Sequence, residues 1–256
     1  MRRVVFNQKG GVGKSTITCN LAAISAAQGK RVLVLDLDPQ GHSTRYLLGH
    51  NPENPAETLA GFFKEILSFS FNNKGIVGYI QPTPFGGLFL MAAHPDLEDQ
   101  RDKLEARYKM FKLRDALLAL ERYDEIFIDT PPALNFFTRS ALIAANACLI
   151  PFDCDDFSRQ ALYAVLANVQ EIQQDHNDQL KIEGIIVNQF QSRARLPKAL
   201  VEELIGEGLP ILGTYLSPSI RIRESHQHAK PMIHFDPRHK LTGEFQALYG
   251  ALGNAV

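Results

Sequence analysis

Residues 7–22 read NQKGGVGKSTITCNLA, and this stretch decides the fold class. Gly10, Gly11 and Gly13 crowd into four positions, and two lysines, Lys9 and Lys14, stand five apart. Before them runs an apolar β-type segment, Arg3 to Phe6, and after them a helical pattern from Lys14 to Gln28. Strand, glycine-rich turn, Gly-Lys-Ser and helix are the layout of a phosphate-binding loop. Glycines let backbone N–H groups converge on one hollow, and the helix adds its positive end. Lys14 is expected to reach the β- and γ-phosphates of a nucleotide, and Ser15 to hold Mg²⁺ through its hydroxyl. The strict pattern GxxxxGK[ST] wants a glycine where this chain has Gln8, whereas KGGxGK[ST] is met at every position.

Lys9 is then the informative residue. A lysine before the first glycine points away from its own Lys14 site and can reach a nucleotide held by a second copy facing the first. Two cations, one from each subunit, would meet on one triphosphate. Dimerisation would then depend on ATP, because without phosphates the facing lysines repel.

Outward from the loop, β-branched and leucine-rich runs alternate with helical patterns. Strands are expected at Arg3–Phe6, Arg31–Asp36, Glu125–Asp129, Ala147–Phe152, Ile182–Asn188 and Ile211–Leu216, most of them apolar on both faces. Helices are expected at Lys14–Gln28, Arg114–Arg122, Phe157–Asp175, Lys198–Glu207 and Lys240–Leu252. The alternation predicts an α/β fold, a doubly wound and mostly parallel sheet with helices on both faces, with ligands at the carboxyl ends of the strands. One domain over 1–256 is expected, with a looser insertion around 49–87, where prolines surround a phenylalanine-rich helix candidate at Phe62–Phe71.

Composition narrows the function. The 45% apolar content is that of a chain with a real core, and the formal charge of −1 excludes long-range attraction of the whole molecule to nucleic acid or anionic lipid. Any such binding needs a local patch. Three cysteines, Cys19, Cys148 and Cys154, fit no disulfide framework or CxxC pair and suit a reducing cytoplasm. The longest apolar stretch, Ala141–Phe152, is interrupted by Asn146 and Pro151 and falls short of the roughly 18 residues of a membrane helix. No secretory signal is read at the start, so a cytoplasmic protein is expected.

KGGVGKST resembles the deviant Walker A loop of ParA/MinD-type P-loop ATPases. LDLDPQG at 35–41 is similar to that family's second motif, and YDEIFIDTPP at 123–132 to its Walker B strand and switch. Ala141–Ala145 and Leu149–Phe152 continue the likeness, and Ile220–Glu224 with Lys230-Pro231 resemble the ParA C-terminal signature. The likeness spans nearly the whole chain and favours the ParA branch, without a helix-turn-helix before the loop.

The resemblance implies an ATPase with ATP and Mg²⁺ as cofactors and a homodimer sandwiching ATP. It implies nucleotide contacts from Gly10, Gly11, Val12, Gly13, Lys14, Ser15 and Thr16, the last at the α-phosphate, with Asn188 reading the adenine. It gives Lys9, Lys14 and Asp38 to catalysis, Asp38 orienting the attacking water. Ser15, Asp36 and Asp129 would form the metal shell. It further implies non-specific double-stranded DNA as a partner, through Arg193, Arg195, Arg221, Arg223 and Lys230. Nucleoid association in the ATP state would follow, with slow hydrolysis until a ParB-like or cargo-adaptor protein stimulates it. The chain departs from the family at Leu216-Ser217-Pro218-Ser219, where an expected arginine is missing and Arg223 is a candidate replacement. His226-x-His228 lacks two further ligands for a metal.

Two other readings compete. A membrane-cycling MinD- or FlhG-like regulator needs a basic amphipathic C-terminal helix, but no lysine or arginine follows Lys240. An iron–sulfur reductase or ATP-dependent ligase of the same superfamily would need, for a cluster, cysteines on a dimer face.

Overall fold

The computed structural model describes residues 1–68, 74–154 and 158–253. Seven strands form one sheet in the order β3-β4-β2-β5-β1-β6-β7. They are β1 (Arg2–Val5), β2 (Val32–Asp36), β3 (Gln81–Pro82), β4 (Leu88–Met91), β5 (Glu125–Asp129), β6 (Ala147–Asp153) and β7 (Lys181–Asn188). Every pairing is parallel except β3 with β4. The helices are α1 (Lys14–Ala27), α2 (His42–Leu48), α3 (Leu59–Leu67), α4 (Leu97–Ala106), α5 (Lys112–Leu118), α6 (Phe136–Ala144), α7 (Ser158–Asp175), α8 (Arg195–Gly206), α9 (Ile220–Gln227), α10 (Met232–Phe235) and α11 (Lys240–Ala251).

Side-chain alternation along the strands splits the core into two layers. Val4, Leu33, Leu35, Ile126 and Ile128 pack with α3 to α8 on one face. Val5, Val32, Val34 and Phe127 pack with α1, α2, α10 and α11 on the other. The expected mostly parallel sheet, covered on both faces, is therefore the observed one.

Three expectations about elements are corrected. Ile211–Leu216 is not a strand: it touches β7 through a single bridge, Ile185 to Ile211. Leu212 lies so close over Gly184 that a Cβ there would stand 2.4 Å from its Cγ. The chain still donates to β7 from Leu212 N and Leu216 N, at 3.0 and 2.9 Å, but Gly213 and Thr214 between them break the ladder. Second, the stretch 49–87 contributes to the main fold along part of its length, although residues 49–54 carry no helix or strand and are mostly exposed. Leu59, Phe62 and Phe63 of α3 are buried in the main core, and Gln81–Pro82 edge the sheet. Leu88–Met91, not expected from the sequence, is a parallel strand beside β2. The tail of the Phe62–Phe71 helix candidate and the Phe157 start of α7 lie outside the described residues.

Third, several helices were not expected, among them α2, α6 and α9. Asn135 caps α6 by accepting from Phe137 N and Thr138 N, and Ser219 caps α9 by accepting from Arg221 N. Among the described residues no helix is long and apolar enough to cross a membrane. The apolar face of α11, with Leu241, Phe245 and Leu248, is spent on the core against α1.

Candidate functional site

The glycine-rich loop leaves β1 at the carboxyl edge of the sheet. Asn7 ties it down: its amide donates to Pro151 O at 2.7 Å, and its Oδ1 accepts from Lys9 N at 2.9 Å. Gly13 precedes α1 with φ near +90°, and a Cβ there would stand 2.6 Å from Asn188 Nδ2. Backbone conformation and close approach together demand glycine. Asn188, at the end of β7, donates to Val12 O at 3.0 Å and so clamps the loop from the far side. No side chain caps α1 and no acid stands in its first turn, so its leading N–H groups face the loop's hollow.

Lys14 is 7% exposed, and its ammonium donates to Lys9 O at 3.0 Å. Burial lowers its pKa, against the pull of Asp129 and Asp38. Thr16 Oγ1 lies 3.0 Å from His226 Nε2.

The acids converge from neighbouring strands. Asp36 and Asp129 are partners in the register of β2 and β5, and both are fully buried. Ser43 donates to Asp129 Oδ2 at 2.7 Å, and the nearby Ser15 hydroxyl helps hold the Asp129 pKa down against burial. Asp129 Oδ1 is buried with no hydrogen-bond partner. Asp36 differs. Its Oδ2 accepts from Thr44 N and Oγ1 at 2.7 and 2.8 Å, and its Oδ1 accepts from Asp38 N at 3.2 Å. Both oxygens are occupied within the protein, so Asp36 is a brace for the turn that follows. Burial raises the pKa of Asp36 and of Asp129, and their mutual repulsion adds to the rise of Asp36. Asp38 stands at the mouth, 6% exposed, with Oδ1 accepting from Gln40 N in a tight turn that opens α2.

Three clefts adjoin these groups. One of about 350 Å³ lies over the glycine loop, with Lys14, Ser15 and Asp38 in its lining. A second, of about 530 Å³, runs from Gly13 and Thr16 to Asn188, Pro218, Ile222 and Arg223. A third, of about 590 Å³, lies between the turn at Asp38–Gly41 and Pro131–Ala133. The first could take phosphates and the second a nucleoside.

A divalent cation fits the first cleft on one structural ground. A buried carboxylate oxygen without a donor invites a cation or its water, and Ser15 and Lys14 stand beside it. Among the described residues no group of three His, Cys, Asp or Glu could hold a metal alone.

The basic residues do not form one free cluster. Arg193 and Arg195, before and at the start of α8, are exposed, as are Arg223 and Lys230. Arg221 pairs with Glu224 and with Asp236 at 2.9 Å and lies over the Phe235 ring. Arg223 lines the second cleft together with Pro218 and is exposed. Cys19 and Cys148 are buried in the two core layers, which leaves no exposed set for an iron–sulfur cluster.

Sequence reasoning missed Ser43, Tyr46 and His226. Ser43 was legible only as the second residue after the DPQG turn. His226 read as part of a basic run, yet its ring stacks on Tyr46 at 3.8 Å, and burial with the nearby His42 pushes its pKa down to about 4.

A family model described as an AAA domain matches residues 3–182. The chain is 35% identical over 247 residues to the chromosome partitioning protein ParA of Myxococcus xanthus, covering 95% of this chain and 84% of that protein. It is 31% identical over 237 residues to the sporulation initiation inhibitor protein Soj of Bacillus subtilis, covering 91% of this chain and 90% of that protein. A solved structure of cobyrinic acid a,c-diamide synthase from Mycobacterium smegmatis, with bound ATP analog and magnesium, superposes with a TM-score of 0.82. It is 26% identical and covers 97% of this chain and 92% of that one.

Proposed function

The chain belongs to the ParA family of P-loop ATPases, and from that premise we propose that it binds ATP with Mg²⁺, dimerises around it and holds non-specific DNA until hydrolysis. This makes it a partition or positioning ATPase. The observation that carries the reading is the buried, donorless Asp129 Oδ1 beneath Ser15 and Lys14 at the phosphate loop.

The roles follow from residue chemistry. The loop N–H groups and Lys14 would hold the β- and γ-phosphates, Lys14 leaving the Lys9 carbonyl for them. Ser15 and Asp129 would hold Mg²⁺, which when bound neutralises charge on the phosphate oxygens. Asp38 would orient the attacking water. Phosphoryl transfer asks mainly for positioning and charge neutralisation, and these groups supply both. Lys9 would act on the nucleotide of a facing copy, so that ATP joins the two subunits.

Arg193, Arg195, Arg223 and Lys230 are the cations suited to DNA phosphates, with Arg221 joining only if its acidic partners let go. Coupling would run through the dimer, a two-state element that ATP biases. Release would follow hydrolysis stimulated by a ParB-like or cargo-adaptor protein.

The test is binding to a random-sequence duplex with ATP and with ADP, at low and moderate salt, for wild type and Lys9→Ala. Wild type should bind only with ATP and weaken steeply with salt, as phosphate contacts do. Lys9→Ala should bind nucleotide, stay monomeric in light scattering and ignore DNA. Equal duplex binding with ATP and ADP, or none with either, would overturn the reading.

A further inference from the structure

The phosphate cleft and the nucleoside cleft meet at one place. Gly13, Thr16 and His226 line both. Whatever joins a triphosphate to its nucleoside must pass that junction, and in a nucleotide that is the α-phosphate and ribose. At the junction Thr16 Oγ1 and His226 Nε2 are 3.0 Å apart. The two residues come from α1 and α9, and a chain of side chains fastens those helices together behind them. Asn20 Nδ2 donates to Tyr46 OH, at 3.3 Å. Ser225 Oγ is 2.8 Å from Tyr46 OH and gives its own proton to Ile222 O, so the tyrosine donates to the serine. Met232 N donates to Asn20 Oδ1 at 2.7 Å. The His226 ring stacks on the same tyrosine.

The direction of the Thr16–His226 bond depends on which ring nitrogen carries the proton. The imidazole is neutral near pH 7, so one nitrogen carries the proton. Nδ1 has no hydrogen-bond partner among the described residues. Water can serve Nδ1 in either tautomer, and a proton on Nε2 is the arrangement that leaves the Thr16 hydroxyl proton free for a ligand. Thr16 then accepts, and its own hydroxyl proton is left to donate.

We propose that His226 is a positioning residue for nucleotide: it donates from Nε2 to Thr16 and aims the Thr16 hydroxyl proton at the α-phosphate. The bound phosphate in turn holds α9, the helix that carries Arg221 and Arg223. This rests on the ATP reading above and adds a contact inside one subunit through which an occupied site steadies the basic helix.

The variants are His226→Phe, which keeps a ring on Tyr46 without a donor, and His226→Gln, which keeps a donor without the ring. ADP, AMP and adenosine are titrated by calorimetry. His226→Phe should bind ADP and AMP about fivefold to tenfold more weakly, the size of one hydrogen bond, with adenosine unchanged. His226→Gln should stay within about twofold of wild type. In a Thr16→Val background, His226→Phe should cost nothing further, because the effect passes through Thr16. Hydrogen exchange of residues 220–228 should slow on ADP binding in wild type and not in His226→Phe. The proposal is overturned by a His226→Phe protein that binds ADP as wild type does or more tightly. Equal losses for adenosine, or a loss shared by His226→Gln, overturn it too, since ring packing would then be the cause. Wild type that binds no nucleotide at all would sink the ATP reading itself.

Discussion

Asp38→Ala is expected to bind ATP and form the ATP dimer while hydrolysing at least about a hundredfold more slowly, the scale of a lost proton-handling or water-orienting group. The residue is held for such a task from three directions, two of them through its backbone. Its backbone N–H is fixed by the Asp36 carboxylate, its Oδ1 by Gln40 N, and its carbonyl accepts from Gly41 N. Oδ2 has no hydrogen-bond partner among the described residues, and Asp38 lines both the phosphate cleft and the cleft toward Pro132. A carboxylate that closes a turn with one oxygen and offers the other can orient water without moving. The measurement is single-turnover hydrolysis beside nucleotide titration and light scattering. Hydrolysis within a few-fold of wild type would remove Asp38 from the chemistry, and lost ATP binding would make it a structural residue of the loop.

Arg3→Met is expected to destabilise the fold by about 3–5 kcal/mol, the cost of stranding buried charges. Arg3 lies at the amino edge of the sheet, away from the nucleotide site, and bonds Glu125 at 2.8 Å and Glu183 at 2.6 Å. Ser25, Tyr249 and Lys30 also donate to Glu125, so α1 and α11 are anchored on the same carboxylate. Without the guanidinium, two carboxylates with side chains 6–7% exposed would lose their shared cation. For a chain of this length that is roughly a 10 °C fall in Tm.

The pH dependence has a definite sign. Burial alone would raise the Glu125 pKa, but hydrogen bonds from Ser25, Tyr249 and Arg3, with the charge of Arg3, bring it down to about 2. A carboxyl depressed on folding contributes stability above its unfolded value, near 4.5, and loses it as pH falls through about 2. The wild-type contribution, about 3 kcal/mol, should therefore be complete above pH 5 and fade below it. The gap between wild type and Arg3→Met should narrow on acidification. A gap that is small at pH 7, or that widens toward pH 3, would contradict this account.

Much of the fold was legible because what encodes it is local. β1, β2, β5, β6 and β7 lie buried on both faces and read as apolar runs. β4 did not, because four residues after a proline-rich approach resemble a loop until a neighbour pairs with them. Ile211–Leu216 misled for the opposite reason: it has strand composition, but a glycine within it lets the chain depart from β7. α9 was read by its charges, and its cap at Ser219 went unread because the arginines dominated the pattern.

The sequence by itself determined the glycine loop, its lysines and serine, and the strand-end aspartates. These depend on backbone conformations and spacings set within a few residues, such as the positive φ that only glycine meets easily at position 13. Packing settles which carboxylate keeps an oxygen without a hydrogen bond. Asp36 and Asp129 are alike in sequence, and the difference lies in Thr44 and Ser43, brought from the next helix. It also decided that Arg221 is neutralised by Asp236 and that Thr16 meets His226 across 210 positions of chain. Such contacts leave no trace in spacing, because their partners are set by how helices pack over the sheet.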